Sequence, residues 1–245
     1  MFSKVALITG SARRIGAQIA KTLHQHGYRV IIHCRTAKIE AELLAKTFNQ
    51  QQKDTAFVLC ADLSDSSALQ HFMKQAFDLT DRLDLLVNNA SSFYPTPINN
   101  VTESQWDDLH ASNVKAPFFL AQAAYPLLKQ YQGNIINIVD IHAQKPMRNY
   151  SAYCIAKAGL QMATQALAKE MSPEVRVNGV SPGAIVWPEG ENSLDTVNQQ
   201  KLLAKIPLKR HGHPQDIANA VLFLATQPYI TGEILNVDGG RSLNI

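Results

Sequence analysis

Val5-Ala6-Leu7-Ile8-Thr9-Gly10-Ser11-Ala12-Arg13-Arg14-Ile15-Gly16 decides the fold of this 245-residue chain. Val5 to Ile8 is a short, continuous apolar run, the pattern of a strand covered on both faces. Gly10 permits a tight turn out of that strand. Gly16 permits the following helix to lie close to the sheet. Ile15, Ile19 and Leu23 then recur at i, i+4 and i+8, one face of a helix, and Gly27 ends it. Strand, glycine turn and helix at the start of the chain imply a dinucleotide site. The helix offers backbone N–H groups and the positive end of its dipole to a pyrophosphate. The middle glycine usual in such turns is missing, and Arg14 takes its place.

The same alternation continues. Apolar strand patterns occur at 30–32, 56–59, 83–87, 135–139, 175–180 and 234–237. Helical patterns occur at 36–50, 65–78, 102–131 (interrupted near Pro117) and 150–171. Repeated strand–helix units with short connections predict an α/β fold. It is a doubly wound, seven-stranded parallel sheet flanked by helices, with ligands held beyond the carboxyl ends of the strands. No linker, repeat or charge block divides the chain, so residues 1–245 read as a single domain.

Composition excludes other classes. The chain is 46% hydrophobic and 18% charged, with a net charge of +3 and scattered basic residues. No basic stripe marks a nucleic-acid or membrane surface. No apolar stretch nears the ~18 residues of a membrane span, and no signal peptide is visible at the N-terminus. Cys34, Cys60 and Cys154 form an odd, widely spaced set. They argue against a disulfide framework and for a reducing, cytoplasmic setting.

The second strand ends in His33-Cys34-Arg35-Thr36 and carries no acid. An acid there commonly holds the ribose 2′-hydroxyl of NAD. Arg35 instead presents a fork suited to a 2′-phosphate, Thr36 adds a hydroxyl, and Arg14 approaches from the first turn. The cofactor expected is NADP. Further on, Tyr153 precedes Lys157 by four residues, which puts both on one helix face. A neighbouring ammonium favours the phenolate and lowers the Tyr pKa from its usual ~10, giving a proton donor usable near neutral pH. Such pairs are common on ordinary helices, so their weight comes from their surroundings. Cys154 lies next to Tyr153 but points ~100° away around the helix, which favours packing over nucleophilic chemistry.

Thr9-Gly10…Gly16, Asp62, Asn88-Asn89-Ala90, Asn113, Tyr153/Lys157 and Pro182-Gly183, in this order, resemble the short-chain dehydrogenase/reductase family over essentially the whole length. The resemblance implies a single-domain Rossmann fold, usually a homotetramer. Arg210-His211-Gly212-His213-Pro214 is similar to a late family segment, which makes the two histidines a loop feature with no metal. Within the family, the Arg14 turn, Asn88 to Pro97, and Asp140 in place of a Ser resemble the pteridine reductases.

That closer resemblance implies NADPH-dependent reduction of a pterin or folate. Asp140, Tyr153 and Lys157 are then the catalytic set, with Asn113 supporting Lys157 through water. The cofactor is held by Gly10, Arg14, Ile15, His33, Arg35, Thr36, Asp62, Leu63, Asn89, Ala90, Ser91, Tyr153, Lys157, Pro182, Gly183 and Ile185. Phe93 stacks on the pterin, Ser91 contacts both substrate and cofactor, and Trp187 either walls the pocket or packs its loop. The polar stretch from Glu191 to about Thr196 reads as a lid. The alternatives are a reductase of ketones or 3-oxoacyl thioesters, and a non-catalytic NADP sensor.

Overall fold

The first six strands of this protein alternate their side chains between two cores. The computed structural model describes residues 4–65, 68–187 and 195–244. Along β1 (Lys4–Ile8), Ala6 and Ile8 face one layer while Val5 and Leu7 face the other, and all four are fully buried. α1 (Arg14–Gln25), β2 (Tyr28–Cys34), α2 (Lys38–Gln51) and β3 (Ala56–Cys60) follow. Next come α3 (Leu69–Asp78), β4 (Leu85–Asn88), α4 (Glu103–His110), a π turn (Ala111–Lys115) and α5 (Ala116–Gln130). β5 (Asn134–Ile138), α6 (Ser151–Met171), β6 (Arg176–Pro182), α7 (Thr196–Lys205), α8 (Pro214–Thr226) and β7 (Ile234–Val237) complete the fold.

All pairings are parallel, in the order β3-β2-β1-β4-β5-β6-β7. The order reverses at β1, leaving a crevice between β1 and β4. Ile19 and Leu23 of α1, Phe48 of α2, and Ile217, Val221 and Leu224 of α8 pack one face. Phe72 of α3, Leu120 and Ala124 of α5, and Leu167 of α6 pack the other. The expected doubly wound Rossmann sheet is present with all seven strands.

The expected break in the 102–131 helix lies at the π turn, one residue before α5 begins. α7 and α8 were not among the expected helices. α8 starts with Pro at its first position and a capping box made by His213 and Asp216. The expected lid lies largely outside the described residues. No helix among the described residues is long and apolar enough to cross a membrane.

Candidate active site

A cleft of about 660 Å³ runs along the carboxyl ends of β1, β2, β3 and β4. Gly10 turns the chain out of β1 at φ +61° and lies so close to the β4 loop that a Cβ would stand 2.9 Å from Ala90 Cα. Asn89 clamps this turn, donating from Nδ2 to Thr9 O (2.9 Å) and Gly10 O (3.0 Å). Residues 12–15 then bring the N-terminus of α1 to the cleft wall, and no side chain caps it. Its N–H groups are thus available to an anion. Arg35 and Thr36, both exposed, line the β2 end, and Asp62 and Leu63 line the β3 end. An uncapped helix start, an exposed guanidinium and no acid at the end of β2 fit a phosphorylated dinucleotide.

His33 lines this cleft and is also hydrogen-bonded within its wall. Its Nδ1 accepts from Gly10 N (3.0 Å) and its Nε2 faces Ala61 O (3.1 Å). Burial lowers its pKa to about 4, so the ring is neutral and ties together the ends of β1, β2 and β3. Arg14 has φ +54°, the left-handed region where a glycine is usual. Its Nη2 donates to Trp187 O (3.1 Å), in the segment that follows β6.

At the other end, a buried amide chain fixes the distance between sheet and α6. Asn88 Nδ2 donates to Asn137 Oδ1 (2.8 Å), and Asn137 Nδ2 donates to Thr164 Oγ1 (2.8 Å). α6 presents Tyr153 and Lys157 to the end of β5. Tyr153 Oη donates to Asp140 Oδ2 (2.8 Å), and Lys157 Nζ donates to Ile138 O (2.9 Å). Asp140 Oδ1 also accepts from His142 N, which holds the carboxylate in place. Phe93, 38% exposed, lines the cleft. It stacks on Tyr150 at 4.8 Å and meets Tyr153 edge-on at 4.9 Å.

One expectation is reversed here. The Tyr153 pKa is raised, not lowered: burial penalises the phenolate, and the neighbouring Asp140 carboxylate adds to this. Burial lowers the Lys157 pKa to about 8, against the pull of Asp140. The ammonium stands 5.8 Å from the phenol ring centre, too far to outweigh these effects.

Asn113 is fully buried in the π turn and bonds directly to the β4 loop. Its Oδ1 accepts from Ser91 Oγ (2.7 Å), and its Nδ2 donates to Ser92 O (2.9 Å) and Leu109 O (3.0 Å). Pro182 and Gly183 leave β6, where a Cβ on Gly183 would meet Asp238 at 2.7 Å. The Ile185 side chain lies in the core, and Val186 lines the cleft. Trp187 is half-buried and stacks on His211 at 4.2 Å.

A family model described as enoyl-(acyl carrier protein) reductase matches residues 10–242. The chain belongs to the short-chain dehydrogenase/reductase family. Pteridine reductase 1 of Leishmania tarentolae is 35% identical over 281 residues, covering 98% of this chain and 96% of that protein. A 3-oxoacyl-(acyl-carrier-protein) reductase of Staphylococcus aureus is 34% identical over 242 residues, covering 97% and 98%. This short-chain dehydrogenase/reductase is therefore an oxidoreductase of a family that uses NAD(P)H.

The short-chain dehydrogenase/reductase also carries polar groups that local sequence patterns do not reveal. Arg241 follows β7, and its guanidinium interacts with the charges of Asp140 and Asp238. Arg241 Nε and His211 Nε2 are buried with no hydrogen-bond partner among the described residues. Nothing in the spacing of the sequence announces them, because β7 and its tail reach Asp140 only through the strand order. No metal-binding group of His, Cys, Asp or Glu occurs among the described residues. Cys154 is buried, and its Sγ accepts from Met147 N, consistent with packing.

Proposed function

We propose that this protein is an NADPH-dependent pteridine reductase that reduces a C=N bond of a dihydropterin, or of dihydrofolate, to the tetrahydro form. The observation that carries this reading is the 2.8 Å bond from Tyr153 Oη to Asp140 Oδ2. A hydroxyl beside the reacting atom would donate to a ketone oxygen as charge develops there. A carboxylate repels that charge. It suits a ring that presents N–H donors and takes up a proton on nitrogen. The likeness to a Leishmania pteridine reductase supports the reading.

Bound NADPH supplies the hydride. Tyr153 gives its proton to the ring nitrogen, and Asp140 holds the phenol in place for that transfer. Lys157 holds the nicotinamide ribose hydroxyls. Ser91, fixed by Asn113, contacts both substrate and cofactor, and Trp187 borders the pocket from its stack on His211. Phe93 has Tyr150 against its ring and offers its exposed part to the pterin. Arg35 and Thr36 take the 2′-phosphate.

The near-equal likeness to a 3-oxoacyl-(acyl-carrier-protein) reductase favours a second reading, reduction of a ketone or thioester substrate. Exchanging Asp140→Ser separates the two. Dihydropterin turnover falls and ketone turnover appears if the carboxylate selects the substrate. Unchanged specificity overturns the proposal. The enzyme is further proposed to be a cytoplasmic homotetramer, pairing through α4–α5 and α6, where Phe118, Phe119, Ile155 and Met162 are exposed.

A further inference from the structure

Cys34 and Cys60 are separated by 26 positions in the chain, yet their Sγ atoms lie 2.8 Å apart. They end neighbouring strands β2 and β3 and are partners in the parallel register. Side chains of register partners leave the same face of a sheet. Both cysteines are free thiols, Cys60 exposed and Cys34 only 2% exposed. Cys34 lines the cleft and is followed directly by Arg35 and Thr36. Cys60 is followed by Ala61 and Asp62, which line the same end.

We propose that Cys34 and Cys60 form a reversible oxidation site, a disulfide whose closure weakens NADPH binding. The proposal rests on the assignment of the β2 end of the cleft to the 2′-phosphate. Strands in a sheet lie ~4.8 Å apart, inside the ~4.4–6.8 Å Cα range of a disulfide. The sulfurs need to approach by less than ~1 Å to reach a bond length of ~2.05 Å.

The oxidant class is a hydroperoxide, with hydrogen peroxide as the simplest member. The Cys60 thiolate attacks one oxygen, the O–O bond breaks, and a sulfenic acid and hydroxide form. Cys34 sulfur then attacks Cys60 sulfur, the S–O bond breaks, and the second oxygen leaves as water. Two thiols and one peroxide become one disulfide and two waters. The sulfurs lose two electrons and the peroxide gains them. The order follows from access: Cys60 is exposed, whereas burial and the adjacent Cys60 push Cys34 up to about 12. Cys60 therefore meets the peroxide first, and the Cys34 proton passes to the leaving oxygen as the Cys34 sulfur attacks.

Closure acts on the cofactor through the backbone. Ala61 N donates to Cys34 O (3.1 Å), and His33 Nε2 faces Ala61 O. Drawing the sulfurs together shifts Arg35 and Asp62 relative to the turn at Gly10. Linkage is reciprocal, so bound NADPH disfavours the cross-linked form by the same factor as the cross-link weakens NADPH binding.

The test uses the reduced full-length protein, hydrogen peroxide, intact mass, peptide mapping and NADPH titration. The expected result is a loss of two hydrogens and a Cys34–Cys60 linked peptide. The NADPH Kd rises several-fold, and dithiothreitol restores it. Cys60→Ser binds NADPH like the reduced parent and keeps that affinity after peroxide. Oxygen addition without the linked peptide, a linked peptide with unchanged Kd, or equal loss in Cys60→Ser overturns the proposal. Failure of the reduced protein to bind NADPH overturns the cofactor assignment and the coupling together. Peptide mapping reports the disulfide separately in that case.

Discussion

Asp140 acts on both Tyr153 and Lys157: its carboxylate accepts from the phenol and its charge favours the ammonium. The buried phenol is held as a neutral donor by the carboxylate. The buried ammonium is weakened, with a pKa of about 8. It is charged below that value and neutral above it. Because kcat/KM reports groups of the free enzyme, it should fall as pH rises through about 8. Asp140 supports the charge on Lys157, so Asp140→Asn should move this alkaline limb to lower pH. A profile that stays flat well past pH 8 speaks against Lys157 as the titrating group.

Arg35 sets the cofactor at the same scale. A hydrogen bond to a charged group is worth ~1.5–3 kcal/mol, and ~1.4 kcal/mol is tenfold. Arg35→Ala should raise the NADPH KM about ten- to a hundredfold while leaving the NADH KM nearly unchanged. Equal effects on both cofactors refute the 2′-phosphate contact.

Among the elements, the ends of β1, β2 and β3 depend on one neutral imidazole. His33 has a folded pKa of about 4 against a reference value of 6.5. Between these values the unfolded chain binds the extra proton, so stability rises with pH. The contribution is complete above pH 6.5 and is lost as pH falls toward 4, about 3 kcal/mol in all. Urea unfolding across this window should show a steeper acid loss in the parent than in His33→Asn. Parallel curves would remove His33 from the account.

The strands were legible in the sequence because each is centred on a short apolar run, buried on both faces at the middle of the sheet, and β1 to β7 lie where those runs stand. The pairing of Asp140 with Tyr153 was legible from the resemblance and from the order of strand and helix. The direction of the Tyr153 shift was not, because i, i+4 spacing reveals a neighbour but not the burial of the phenol. α8 was missed although Pro214, Asp216 and the Ile217, Val221, Leu224 series mark it. Its cap is a histidine, which seldom takes that place. After β6 the Ile185 side chain packs into the core while its neighbour Val186 faces the cleft, a division that strand and helix periodicity does not reveal.

At the scale of the whole molecule, the strand order places a nucleotide-sized cleft over β1 to β4 and the Asp140–Tyr153 pair beside it, after β5. The fold is shared with relatives named for pterins and for oxoacyl thioesters, so the substrate is decided by the side chains around that crevice. The most direct measurement follows NADPH oxidation by the purified enzyme with dihydrobiopterin, dihydrofolate and a 3-oxoacyl thioester in parallel. Turnover of dihydrobiopterin or dihydrofolate, with kcat/KM far above that for the thioester, is the predicted result. Brisk thioester reduction with inert pterins would contradict it.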